Sequence, residues 1–176
     1  MGHQMKETSM RMIAICGMAL ALSSPALADL DVQFDEGAPK DRFTISAAGG
    51  CDLGPMTVTI DLQPSPFGLI FDTTSSGAGV QVFQPFEITD GREHLTAIPS
   101  VKDGDNSIQL TVNSLGKSQK ISFTIDVDDT VQNREITVSD AEITGAKVVA
   151  LRDGQRSEAV FGPNAMASVK MNACVS

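Results

Sequence analysis

KISFTIDVDDT, residues 120–130, is the stretch whose reading decides the fold. Ile121, Phe123, Ile125 and Val127 alternate with Ser122, Thr124, Asp126 and Asp128. A period of two with β-branched and aromatic residues on one face is the pattern of a half-buried strand. Phe123 and Ile125 are therefore expected in the core, with Thr124 and Asp126 more exposed. Such a strand needs a second apolar layer over its inner face. This one also ends in three carboxylates, Asp126, Asp128 and Asp129.

The neighbouring sequence repeats the pattern. Apolar alternation recurs at 30–34, 43–47, 56–62, 80–88, 108–112 and 167–171, and 68–71 is a short apolar run. A longer strand is expected over 141–151 and a short one over 159–161. Asp90-Gly91, Asp103-Gly104 and Asp153-Gly154 are turn signals, and Pro64, Pro66 and Pro85 interrupt the ladders. The 108–112 strand is expected to pair with 120–128 across the turn at 115–118. Beyond residue 28 no window of about ten residues keeps a helical period. The predicted fold is all-β: a single antiparallel sandwich, immunoglobulin-like or jelly-roll-like, of nine to eleven short strands.

The first 28 residues read as an export signal. Lys6 and Arg11 supply the positive region, 12–22 the apolar run, and Ala26-Leu27-Ala28 the cleavage site. The apolar run is shorter than the roughly 20 residues needed to span a bilayer. Cys16 lies mid-run after Ile15, without the small residue that precedes a lipidated cysteine. The predicted product is residues 29–176, a periplasmic or extracellular domain without a transmembrane segment. Loss of Lys6, Glu7 and Arg11 takes the formal net charge from -9 to -10. Such a surface repels nucleic acid and anionic lipid and suits cations, neutral glycans or a surface protein. Cys51 and Cys174 are left, and in an oxidising compartment the expected state is a disulfide. It would close a loop worth roughly 5 kcal/mol in the chain-entropy account.

Catalytic signatures are scarce. His94 is the single histidine after cleavage, which excludes a zinc site built on histidines. It stands beside Arg92 and Glu93, with no Gly-x-Ser-x-Gly elbow anywhere. Gly116-Lys117-Ser118 has the ending of a phosphate loop, but Thr111 stands where the leading glycine belongs. Paired carboxylates keep a hydrolase open as an alternative, and an accessory subunit of an envelope assembly is another.

The acidic clusters carry the sharper expectation. Asp126 and Asp128 point the same way from one strand, and Asp129 lies just past it. Calcium takes six to eight oxygens, and carboxylates on adjoining loops of a sandwich can supply them. Asp126, Asp128 and Asp129 are the candidate metal ligands, calcium is the expected ion, and no catalytic residue is assigned. Further ligands are sought at Asp35, Glu36 and Asp41, or at Asp103 and Asp105.

Four segments carry a family resemblance: FDEGAPKDRF (34–43), CDLGPMTVTIDL (51–62), GLIFDTTSSGAGVQVFQPFE (68–87) and FTIDVDDTVQNREITVSDAEITGA (123–146). They resemble small exported bacterial proteins labelled "aggregation factor core", distantly similar to core proteins of sponge aggregation factors. The resemblance implies a secreted β-sandwich and, by extension from the sponge proteins, calcium-dependent adhesion through glycans.

Overall fold

The computed structural model describes residues 1–2, 28–77, 79, 82–131 and 138–171. Residues 3–27 of the expected signal, Val80, Cys174 and Ile136, whose apolar pairing with Val138 after the acidic strand end reads as more strand, lie outside them. Ten strands are described: β1 (Ala28–Asp35), β2 (Asp41–Gly49), β3 (Met56–Asp61), β4 (Ile70–Asp72), β5 (Glu87–Asp90), β6 (Ser107–Val112), β7 (Lys120–Asp128), β8 (Lys147–Arg152), β9 (Gln155–Val160) and β10 (Met166–Met171). All pairings are antiparallel, in two sheets. One runs β10-β1-β2-β7-β4 with β5 also on β7, and the other runs β6-β3-β8-β9. Among the described residues no helix is long and apolar enough to cross a membrane.

The inward faces form one core. Leu30, Val32 and Phe34 of β1, Phe43 and Ile45 of β2, and Ile121, Phe123, Ile125 and Val127 of β7 are wholly buried, as are Val58, Ile60 and Leu110 from the other sheet. Phe34, Phe43, Phe123 and Phe86 form a chain of rings with successive centroids 5.1, 5.2 and 5.0 Å apart. Those separations lie in the favourable range for aromatic pairs. The core thus rests on the β7 pattern that alternation reveals.

Several connections differ from expectation. β6 pairs with β3, and β7 pairs with β2, β4 and β5. The 115–118 turn is therefore a crossing between sheets, anchored where buried Leu115 bridges Leu53. Residues 82–86 are not strand, and β8 begins only at Lys147 because 140–145 is a turn. The Asp103-Gly104 turn leads into β6 without making a hairpin, since β5 and β6 lie in different sheets. Asp153-Gly154 does close one, joining β8 to β9 with both residues at positive φ.

β7 also departs from simple alternation: its outer face is closed from water as well. Ser122, Thr124 and Asp126 are only 3, 3 and 2% exposed. Two side chains from the β2 side account for the middle of the strand. Lys40 Nζ reaches Glu87 Oε2 at 2.9 Å, and Arg42 donates to Thr89 Oγ1 at 3.0 Å. Arg42 and Glu87 are the register partners of Thr124 on either side. Their long side chains lie across it, and their stems exclude water while the charged ends stay wet.

The register sets the first strand between the end of β2 and the end of β10. Ala28 pairs with Gly49 on one side and with Met171 on the other. Cys51 follows Gly49 closely and packs against the core, and Cys174 follows Met171 in sequence. The pairing of Cys51 with Cys174 remains an expectation, because Cys174 lies outside the described residues. Denatured, unreduced mature protein is expected to show no free thiol; reaction of both cysteines would contradict the bond. Phe123→Ala is expected to cost about 3–5 kcal/mol in denaturant unfolding, since the ring is fully buried between others. An unchanged midpoint would place Phe123 outside the stabilising core.

Candidate functional site: a buried carboxylate cluster

β7 ends at one rim of the sandwich, and the chain around it sets what its carboxylates meet. β4 pairs with residues 126–128 and β5 with 122–124, both along the edge of β7 opposite β2. Between them the Asp126 N–H donates to the Gln84 carbonyl at 3.4 Å, and the Gln84 N–H to the Asp72 carbonyl at 3.3 Å. β4 and β5 thus act as one interrupted edge strand. Residues 73–77 and 79 belong to the excursion at the interruption.

The register decides which carboxylates share a face. Asp72 is the direct partner of Asp126, and Ile70 that of Asp128. Asp72, Asp126 and Asp128 therefore stand on the outer face, behind Phe71 and Val127 of the core. All three are buried, with Asp72 and Asp128 at 0% exposure. The excursion covers them. A Cβ added to Gly79 would lie 2.2 Å from both Asp72 Oδ2 and Asp128 Oδ2. The two oxygens are thus no farther apart than twice that distance, and no residue with a side chain fits beside them.

Two more carboxylates join from neighbouring segments. The loop before β6 lies along β4: the Phe71 N–H donates to the Asp105 carbonyl at 2.8 Å, and the Gly104 N–H to the Phe71 carbonyl at 2.9 Å. Asp103 is thereby brought beside Asp72. Its Oδ1 accepts from the N–H groups of Thr73 and Thr74 at 2.8 and 2.9 Å, and its Oδ2 lies against Gly77. Asp41, at the start of β2, accepts from the N–H groups of Gly37 and Val127, each at 3.0 Å. It ties the β1–β2 turn to β7.

The electrostatics follow from burial. Desolvation pushes the Asp126 carboxyl up to about 8, and the charges of Asp128, Asp41 and Asp72 add to it. Asp41 is raised to about 7, again chiefly by burial, although its two backbone donors work the other way. Burial also raises Asp72, followed by the close approach of the Asp103 and Asp128 carboxylates. Neither Asp72 nor Asp126 takes part in an ion pair within the described residues. Among the described residues, both Asp72 oxygens and Asp126 Oδ2 lack a hydrogen-bond donor. Two like charges ~4 Å apart repel by about 1 kcal/mol in water but about 4 kcal/mol at the effective dielectric of a protein flank. Near neutral pH the raised Asp72 and Asp126 carboxyls therefore favour a proton or a nearby cation.

The expected metal set is therefore only partly assembled as read from sequence. Asp126 and Asp128 are in the cluster. Asp129 is buried just past β7, but it is not among the charges that press most on Asp41, Asp72 or Asp126. Asp41 and Asp103 join the cluster. Asp35 is exposed, Glu36 accepts from the Asp140 N–H, and Asp105 caps its own turn by accepting from the Lys102 N–H at 2.8 Å. Asp72 is the member that sequence reasoning missed; its signal is a carboxylate closing a short apolar strand just before a glycine-rich segment. No three His, Cys, Asp or Glu side chains among the described residues are gathered closely enough to hold a metal ion as they stand. His94 is apart from the cluster, beside Glu93 at 3.6 Å.

Comparisons of the chain with protein-family models, with curated proteins and with solved structures give no match.

The raised carboxyls set a direction for stability against pH. Their folded values lie above the ordinary 3.8, so the folded protein holds more protons than the unfolded chain between about pH 4 and 8. The stabilisation is complete below pH 4, is lost as pH rises through that window, and is gone above about 8. In cation-free buffer the melting temperature is expected to be lower at pH 8 than at pH 5, with a smaller fall in Asp126→Asn. An equal fall in both proteins would mean that Asp126 is not a source of the pH dependence.

Proposed function

We propose that this chain is an exported, non-catalytic β-sandwich module for binding or adhesion, supported at one rim by calcium. The observation that carries the reading is the burial of Asp72, Asp126 and Asp128 together, with no basic partner for Asp72 or Asp126 among the described residues. Leaving ionised carboxylates bare in such a place costs several kcal/mol per ion. A hard cation with many oxygen ligands offsets that cost, and calcium tolerates the irregular geometry that strand ends and loops provide. Adhesion through glycans or a surface protein draws support from the acidic surface and from the resemblance of the four quoted segments to aggregation-factor-core proteins.

The hydrolase alternative is weaker on the same geometry. Raised carboxyls are the equipment of general acid catalysis, but Asp72, Asp126 and Asp128 are all closed from solvent. An extended substrate does not reach them in this arrangement.

Thermal melts in calcium and in chelator test the reading. With calcium at 100 times its dissociation constant the fold is expected to gain about 2.7 kcal/mol. Asp128→Asn should lose most of that gain while its cation-free stability is equal or higher. Beads coated with the protein should bind glycan or cell-surface material with calcium and release it with chelator. Identical melting temperatures in calcium and chelator would remove the calcium claim. A calcium-stabilised protein whose binding ignores chelator would limit the ion to a structural role.

A further inference from the structure

Resting on the calcium reading above, we propose that the cation is held between β4, β7 and the loop before β6, with Asp72, Asp103, Asp126 and Asp128 as its carboxylate ligands and the glycine backbone at 77 and 79 as one wall. Asp72 is the central ligand and Asp129 lies outside the set.

An acidic cluster can be no more than a solvated strand end, so what Asp72 does matters most here. It is completely buried, and among the described residues no N–H or basic group donates to either of its oxygens. A buried carboxylate ordinarily finds donors, as Asp41 does in the N–H groups of Gly37 and Val127. The company of Asp72 is instead two other carboxylates, Asp103 on one side and Asp128 on the other. All these groups accept when ionised and none can satisfy another. Asp126 adds a second buried oxygen without a donor.

The wall is the independent half of the argument. A side chain at position 79 would meet Asp72 Oδ2 and Asp128 Oδ2 at 2.2 Å, and one at position 77 would meet Asp103 Oδ2 at 1.6 Å. The backbone at these two positions thus approaches three carboxylates of the set as closely as a chain can. The ligand class that suits the arrangement is a hard divalent cation, which takes carboxylate oxygens together with main-chain carbonyls. Occupancy requires the oxygens to draw in around the ion, since like charges hold them apart without it. Asp72 and Asp126 are already register partners, and Asp72 Oδ2 and Asp128 Oδ2 each lie 2.2 Å from the same point beside Gly79.

The experiment is calcium titration calorimetry on mature protein in metal-free buffer, using wild type, Asp72→Asn, Gly79→Ala and Asp129→Asn. Asp72→Asn and Gly79→Ala should each weaken calcium binding by roughly tenfold or more, while Asp129→Asn should bind as wild type does. Magnesium should bind more weakly, because it demands a regular octahedron. Asp72→Asn removes a buried charge, so its cation-free melt should not fall below that of wild type; that melt checks its folding. If it nonetheless unfolds, Asp103→Asn takes its place with the same expected loss. Wild-type binding that survives Asp72→Asn but is lost in Asp129→Asn overturns this site and leaves the calcium reading standing. No calcium binding by wild type overturns both.

Discussion

Like charges closed off from water at the end of one strand pair are the constraint around which this rim of the sandwich is built. Asp72 and Asp126 are register partners, Asp128 shares their face, and all three are buried. The same three groups on an exposed strand end would repel only weakly, because water screens them. Burial multiplies that repulsion several-fold. The neighbouring structure must therefore supply protons, donors or a cation. Asp41 shows one solution, with its carboxylate held by two backbone N–H groups. Among the described residues Asp72 has no such donors, and that difference is what turns a cluster of acids into a candidate ion site.

The rest of the fold makes the burial unavoidable. β7 is flanked by β2 on one edge and by the interrupted β4–β5 strand on the other. Its inner face carries Phe123 in the aromatic chain, so β7 cannot shift register without moving the core. Its outer face is crossed by Lys40 and Arg42 at the middle and by the excursion after β4 at the end. Hydrophobic packing on one face thus holds the carboxylates in place on the other. The core and the site are two sides of a single strand.

Much of this was legible in the chain. Period-two alternation placed β1, β2, β3, β6, β7 and β10, and Asp153-Gly154 marked the β8–β9 hairpin, because these signals depend on neighbours in sequence. Asp126 and Asp128 were recognisable for the same reason. What escaped depends on partners distant in sequence. Alternation along β7 does not reveal that Lys40 and Arg42 reach across to Glu87 and Thr89, so the sequence alone reads Thr124 as exposed. Asp72 enters the cluster only because β4 pairs with the far end of β7. Asp129 has the sequence position of a ligand, but the charges acting on Asp41, Asp72 and Asp126 come chiefly from other carboxylates. The turn at 115–118 has hairpin composition, and only the bridge of Leu115 to Leu53 reveals a crossing between sheets.

A crystal structure of the mature protein grown at neutral pH with calcium, with anomalous data, tests the central claim most directly. The expected result is an anomalous peak with carboxylate oxygens of Asp72 and Asp128 roughly 2.3–2.6 Å away and the backbone of Gly79 alongside. The contradicting result is no peak there, with Asp72 and Asp128 sharing a proton oxygen to oxygen in saturating calcium.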